Sequence, residues 1–331
     1  MDIPRYWAEH REQRTLPGRR RLTHRRFGWS SRSQEDAQRH AEQRVAEAWA
    51  AWDAGRPPTR WEAKVAYGGA DGLPIREEIL EEHPDLDVVV TRNAYGSRCL
   101  NVPDILFADV DLGEPGEHRR NLQGLLIFLV VQVIVLIGLL MYQGWGGTGW
   151  PLLLLFAIML PTLWGMTTSW RRWRSAVHPE WIVPRLQAWC ASHPTWRLRV
   201  YRTPAGLRLL ATHGSLNPRS EETEAFFAVV SADPMYRLMC RKQACFRARV
   251  SPKPWRIGIR ERIGYGTWPS TGPSAVERRS AWIAQYEAAA IGYAACAFMT
   301  ELGAGTATAR GSAVATLHDR LAGVAAGAPL A

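Results

Sequence analysis

The sequence predicts an α+β cytoplasmic domain interrupted by a two-helix transmembrane hairpin. Three observations carry that reading. Residues 121–170 hold no Asp, Glu, Lys, Arg or His, in a chain that is 22% charged. Strand-like and helix-like patterns alternate on both sides of that window. The clearest local motif, RLRVYR-TPAG-LRLLAT at 197–212, is an antiparallel hairpin, which belongs to an α+β rather than a doubly wound fold.

The elements follow in order. Residues 1–33 carry nine arginines against Asp2, Glu9 and Glu12 and read as a basic arm with aromatic anchor points. Ser33 is placed to cap a helix over 34–53, ended by Pro57 and Pro58. A short strand is expected at 62–67 and a short helix within 73–83. DVVVTR at 87–92 reads as a strand, and 97–111 as two short strands broken at Asn101–Pro103. The first part of the domain thus runs over 34–120.

The uncharged window contains two apolar runs, 122–142 and 150–170, joined by QGWGGTG. Each run has 21 residues, enough to span a hydrocarbon core at 1.5 Å per residue. Arg119 and Arg120 precede the pair, Arg171, Arg172 and Arg174 follow it, and the connecting loop is uncharged. The positive-inside rule then puts both termini in the cytoplasm, and the chain in a bacterial inner membrane with the bilayer as a partner. Helix packing through the hairpin would also allow a homo-oligomer.

The second part of the domain runs over 171–302. It begins with a helix at 179–192, followed by the TPAG hairpin, in which Pro204 and Gly206 supply the turn. Asn217–Pro218 and Asp233–Pro234 open two further helices, to about 230 and 242. A strand is expected at 245–250, an extended run at 256–260, and one long Ala-rich helix at 274–302. The Ala/Gly-rich tail, 303–331, carries one helix around 312–324. The strand at 107–111 and the TPAG hairpin are expected in one sheet, which makes the hairpin an insertion within a domain.

Charge is unevenly spread. Residues 1–33 carry +6, 34–120 carry −8 and 171–331 carry +12, for a net +10. A basic surface suits anionic partners: nucleotide, nucleic acid or acidic lipid. Equally, the basic half can pair with the acidic 34–120 segment. The five cysteines show no zinc spacing, and HExxH, GxSxG and P-loop motifs are absent from the sequence.

Two groups of residues carry candidate chemistry. In LFADVD, Asp109 and Asp111 sit at i and i+2 of a strand and project from one face, an arrangement that suits a divalent metal such as Mg²⁺ or Mn²⁺. The other group is basic. Arg202 and Arg208 flank the TPAG turn, Arg247 and Arg249 share a strand face, and Lys253 and Arg256 follow beside Trp255. These six are candidate anion ligands, with aromatic rings available for stacking.

The motifs IPRYWAE (3–9), FGWS (27–30), LPIREE (73–78), TRNAYGSRCLN (91–101), LFADVD (106–111), YRTPAGLRLLATH (201–213) and CFRARVSPKPWRIG (245–258) resemble those of a group of uncharacterised bacterial membrane proteins. An apolar strand ending in D-x-D, followed by a T-P-x-G hairpin, is also faintly similar to the core of archaeo-eukaryotic primase-polymerases. That resemblance implies metal held by Asp109 and Asp111. It puts Arg208 where the superfamily carries a phosphate-binding His, and it expects a third acid, for which Asp233 is the nearest residue. Two functional expectations result. The first is a membrane-anchored cytoplasmic module binding an anionic partner through an Arg-rich surface. The alternative is a metal-dependent nucleotidyl-transfer or nucleotide-processing enzyme using Asp109 and Asp111.

Overall fold

The computed structural model describes residues 1–56, 58, 62, 65, 72–112, 179–263, 268–270 and 272–331. The chain divides into two units, residues 1–110 with 184–331, and residues 111–183. The second unit contributes only a strand end and the first turn of one helix to the described residues.

The N-terminal segment is not an arm. It folds as a long antiparallel hairpin, β1 (Tyr6–Leu16) and β2 (Arg20–Ser30), turned through Pro17–Arg19. Its charge hid the strand pattern. Arginine guanidinium groups lie over rings, with Arg14 on Trp49 and Arg25 on Phe27. Helix α1 (Gln34–Asp53) packs on this hairpin with Ala37, Ala41, Val45, Ala48 and Trp49. Ser33 caps it, its hydroxyl accepting from the Asp36 N–H at 3.1 Å. The two elements approach so closely at Gly28 that a Cβ there would collide with the backbone of Ala37 and Ala41.

The segment expected to hold a short helix at 73–83 instead forms strand β3 (Glu78–His83). It pairs with β4 (Val88–Arg92), which pairs with β5 (Arg98–Val102). Strand β6 (Phe107–Asp111) follows, then α2 (Pro179–Ser192), β7 (Leu198–Thr203) and β8 (Gly206–Ala211). Helices α3 (Glu221–Val229) and α4 (Pro234–Gln243) begin at the side-chain caps Ser220 and Asp233. Strand β9 (Phe246–Arg249) comes next. Residues 254–257 form a 3₁₀ turn, where an extended run was expected. The long helix expected over 274–302 is α5 (Pro273–Ala290), a break at Gly292, and a strand, β10 (Ala297–Leu302). Gly292 takes the left-handed conformation, which stops a helix and lets the chain turn. Helix α6 (Ala309–Ala322) lies near the end.

Beside the β1–β2 hairpin there are two four-stranded sheets, ordered β10-β7-β8-β6 and β3-β4-β5-β9. Each combines strands from before residue 111 and after residue 197. The strand before the apolar window and the TPAG hairpin do share a sheet. Edge strands β6 and β9 meet through α4: the buried Tyr236 hydroxyl lies 2.9 Å from the Phe107 carbonyl and 3.0 Å from that of Arg247. The core follows that junction and includes Leu106, Phe107, Leu209, Phe226, Phe227 and Phe246.

The membrane expectation is corrected. Among the described residues no helix is long and apolar enough to cross a membrane. Helix α1, with 20 residues, and α5, with 18, approach spanning length, but both carry charges along their course, such as Asp36, Arg39 and Arg44, and Glu277, Arg278 and Arg279. The apolar runs 122–142 and 150–170, and most of the strand expected at 62–67, lie outside the described residues. The fold class among those residues is α+β, with six α-helices and three sheets and no transmembrane hairpin. The two-pass inner-membrane location and the membrane keywords that rested on the hairpin fall with it.

Candidate functional site: an arginine-lined cavity

A cavity of about 210 Å³ opens beside the β6–β9 junction, within the larger unit. Five arginines line it. Arg76 comes from the segment before β3, Arg92 ends β4, Arg247 and Arg249 lie on β9, and Arg279 lies on α5. Glu77 and Asp109 are the carboxylates on the same wall; Tyr95, Asn93, Cys99, Tyr236 and Gln243 complete its polar lining.

The arginines fall into two sets. Arg247 is 6% exposed and paired with Glu77, which also accepts from the Thr91 hydroxyl at 2.6 Å. Burial would push Arg247 down, but Glu77 beside it holds the cation above its ordinary value. Arg92 is 5% exposed and pairs with Glu287 at 2.7 Å; Arg279 pairs with Glu78 at 2.6 Å. Of the other two, Arg76 has no carboxylate in ion-pair range among the described residues, and Arg249 has no side-chain carboxylate in that range but donates Nη1 to the Ala331 main-chain oxygen at 3.4 Å. Arg76 donates Nε to the Trp268 carbonyl and lies 3.7 Å above the Phe27 ring centroid. Arg249 donates to the Ser251 carbonyl at 2.6 Å. Burial pushes both down to about 10, for Arg249 with the neighbouring charge of Arg208 adding to the effect.

The cavity-lining arginines also carry unmatched donors. Arg76 Nη1, Arg247 Nε and Arg279 Nε are buried without a hydrogen-bond partner among the described residues, while Arg92 Nε lies 3.6 Å from Glu78 Oε2. Buried polar groups are normally satisfied, and each unmet one costs about 1–3 kcal/mol, more when charged.

The sequence-predicted residues are only partly brought together. Arg247, Arg249 and Asp109 line the cavity; Arg202, Arg208, Lys253 and Arg256 do not. Arg202 and Arg208 do not grip an anion across the hairpin. The two-residue turn pairs Tyr201 with Arg208 and Arg202 with Leu207, so the two arginines have opposite parity and face opposite ways. Arg202 is exposed, whereas Arg208 is buried at 1%. Arg208 donates Nε to Asp109 Oδ1 at 2.8 Å, Nη2 to Oδ2 at 3.2 Å, and Nη1 to the Arg249 carbonyl at 2.7 Å. Both Asp109 oxygens are thereby engaged with a cation, a poor starting point for metal ligation. Asp111 is exposed at the end of β6. Asp233 caps α4, accepting from the Tyr236 N–H at 2.7 Å. Among the described residues no cluster of three or more His, Cys, Asp or Glu side chains is arranged to hold a metal ion. Lys253 lies over Trp255, and Arg256 stands beside it in the 3₁₀ turn.

Sequence reading missed Arg76, Arg92 and Arg279, which come from three separated segments. A second cavity, about 340 Å³, lies between β7, β10 and α6. Its charges neutralise one another: Glu301 pairs with Arg197 and Arg199, and Asp319 with Arg199.

Compared with protein-family models, with curated proteins and with solved structures, the chain has no match.

Proposed function

We propose that the protein is a binding module for a small anionic ligand, a phosphate or carboxylate group held in the arginine-lined cavity. The observation that carries this is the convergence of five arginines on one cavity whose lining holds two carboxylates, Glu77 and Asp109, with Arg76 a buried cation that has no carboxylate in ion-pair range among the described residues. Arginine forks match the oxygens of phosphate and carboxylate. The volume limits the ligand. At about 30 Å³ per water the space holds about seven waters, room for an oxyanion group and not for a nucleic-acid strand. The favoured partner is therefore a small molecule, and the arginines act inside a cavity instead of along a surface. The metal-dependent enzyme reading is less well supported, because Asp109 is committed to Arg208.

The test is calorimetric titration of the purified chain with inorganic phosphate, pyrophosphate and sulfate, alongside Arg249→Gln and Arg76→Met. The expected result is saturable binding that weakens at least tenfold in either variant. Thermal stability should rise with phosphate, by about 2.7 kcal/mol at a hundred times the Kd. Absence of both heat and stabilisation at 10 mM of every anion, on the order of the weakest affinity of interest, would overturn the proposal.

A further inference from the structure

Beside the cavity stands an aromatic pair that the anion-binding reading leaves unused. Tyr95 lines the cavity and is 64% exposed; Trp255 is 50% exposed and meets it edge-on, with ring centroids 5.6 Å apart. Large exposed rings held side by side on a folded surface mark a contact site.

Both rings are firmly mounted. Asn93 Oδ1 accepts from the Tyr95 and Ser97 N–H groups at 3.0 and 3.1 Å, and the Asn93 carbonyl accepts from the Gly96 N–H at 2.9 Å. Gly96 is left-handed, and a Cβ there would strike the Trp282 ring beneath the turn. Trp255 sits in the 3₁₀ turn between Pro254 and Gly258, with the Lys253 ammonium 5.3 Å from its ring centroid.

The platform is joined to the arginines directly. Arg92 donates Nη1 to the Gly96 carbonyl at 2.9 Å, next to Tyr95 in the chain, and is itself one of the arginines that line the cavity. One buried side chain thus fixes the aromatic turn and forms part of the cavity wall.

We propose that the ligand is a phosphate ester carrying a planar heteroaromatic ring, the chemistry of a mononucleotide, with the phosphate in the arginine cavity and the ring stacked on Tyr95 at its mouth. This rests on the anion-binding reading and names the ligand class for that site. The cavity alone is too small for the whole molecule, so the ring must lie outside it, where Tyr95 stands. The Lys253 charge beside Trp255 favours an electron-rich ring.

The experiment compares inorganic phosphate, ribose 5-phosphate and the four common nucleoside 5′-monophosphates, by calorimetry, on wild type, Tyr95→Ala, Tyr95→Phe and Trp255→Ala. Stacking supplies a factor of about 5 to 150 in affinity per base. The nucleotides should therefore exceed ribose 5-phosphate by that factor in wild type and Tyr95→Phe. The advantage, taken as the ratio of nucleotide to ribose 5-phosphate affinity within each protein, should vanish in Tyr95→Ala and shrink in Trp255→Ala. Phosphate binding with no preference for the nucleotides, or a preference that survives Tyr95→Ala, overturns the ring subsite and leaves the anion site standing. Absence of phosphate binding in wild type removes both.

Discussion

Asp109 is the residue on which the carboxylate–metal and arginine–anion readings diverge, and replacing it separates them. Its carboxylate, 34% exposed, accepts two hydrogen bonds from Arg208, which is 1% exposed. Burial alone would push Arg208 down, and Asp109 beside it holds the cation above its ordinary value. Breaking a buried pair by removing one partner costs about 3–5 kcal/mol, because the remaining charge is stranded. Asp109 is a third exposed, so water can partly replace it, and the expected loss for Asp109→Ala is about 2–4 kcal/mol. Arg208→Met leaves the Arg249 carbonyl without its donor, at about 1–3 kcal/mol, and Asp109 with only water. The double variant removes the stranded charge and should be more stable than the sum of the singles by about 2 kcal/mol. Urea unfolding, followed through the 16 tryptophans, measures all three. Strict additivity, or a loss below about 0.5 kcal/mol in Asp109→Ala, would refute the buried-pair argument. The milder Asp109→Asn adds a functional readout. It removes a negative charge from the cavity wall, so phosphate should bind more tightly. Under the metal reading the same change should weaken any Mg²⁺- or Mn²⁺-dependent binding.

Further predictions concern the frame around the site. Gly28→Ala drives a methyl group into the α1 backbone and should destabilise the chain by about 2–3 kcal/mol or more in the same urea assay. Ser33→Ala removes the α1 cap and should cost about 1 kcal/mol, with Ser33→Asp restoring most of it. Glu287 would be raised by burial, but hydrogen bonds from Arg92 and Arg98 hold it below its ordinary 4.5. Its contribution is thus full above pH 4.5 and lost as pH falls through the lower folded value. Glu287→Gln should be less stable than wild type at pH 7, and the gap between the two curves should narrow as pH falls below 4.5; parallel curves throughout the acid range would count against the linkage.

Parts of this architecture were legible because their signals are local. Ser33, Asp233–Pro234 and TPAG are caps and turns, and α1, α4 and the β7–β8 hairpin lie where they point. Other parts depend on distant partners. The acidic run EILEEH reads as helix, yet it pairs with β4 at the edge of a sheet, where exposed acids are tolerated. The AFMTEL strand reads as more Ala-rich helix, and only the left-handed Gly292 separates the two. In β2 the buried positions include His24 and Arg26, so no apolar alternation announced the strand. The cavity was the least legible feature. Its arginines come from positions 76, 92, 247, 249 and 279, and no window contains more than two of them. What the sequence did hold was the opposition of charge between its halves, which the structure resolves into Arg247–Glu77, Arg279–Glu78, Arg208–Asp109 and Arg310–Asp104 pairs.

Those pairs sharpen what the remaining arginines are for. Arg208 and Arg247 each have a dedicated carboxylate, and both are held above the ordinary guanidinium value. Their charge is neutralised within the fold, and they read as structural. Arg76 and Arg249 line the same cavity without a side-chain carboxylate in ion-pair range among the described residues, and both are depressed. Glu9 and Glu62 raise Arg76, and Asp109 raises Arg249, by less than burial lowers them, so each keeps a cost in reserve, since a buried, incompletely compensated cation is unfavourable. An incoming oxyanion offsets that cost at the moment it binds, which is how a strained ground state becomes affinity. The selectivity then follows from geometry. A water molecule can satisfy one orphaned N–H at a time, whereas a phosphate presents acceptors to several arginines at once and adds the missing charge. Removing Arg247 should therefore damage the fold first, and removing Arg249 should damage binding first, although the two residues are neighbours on one short strand.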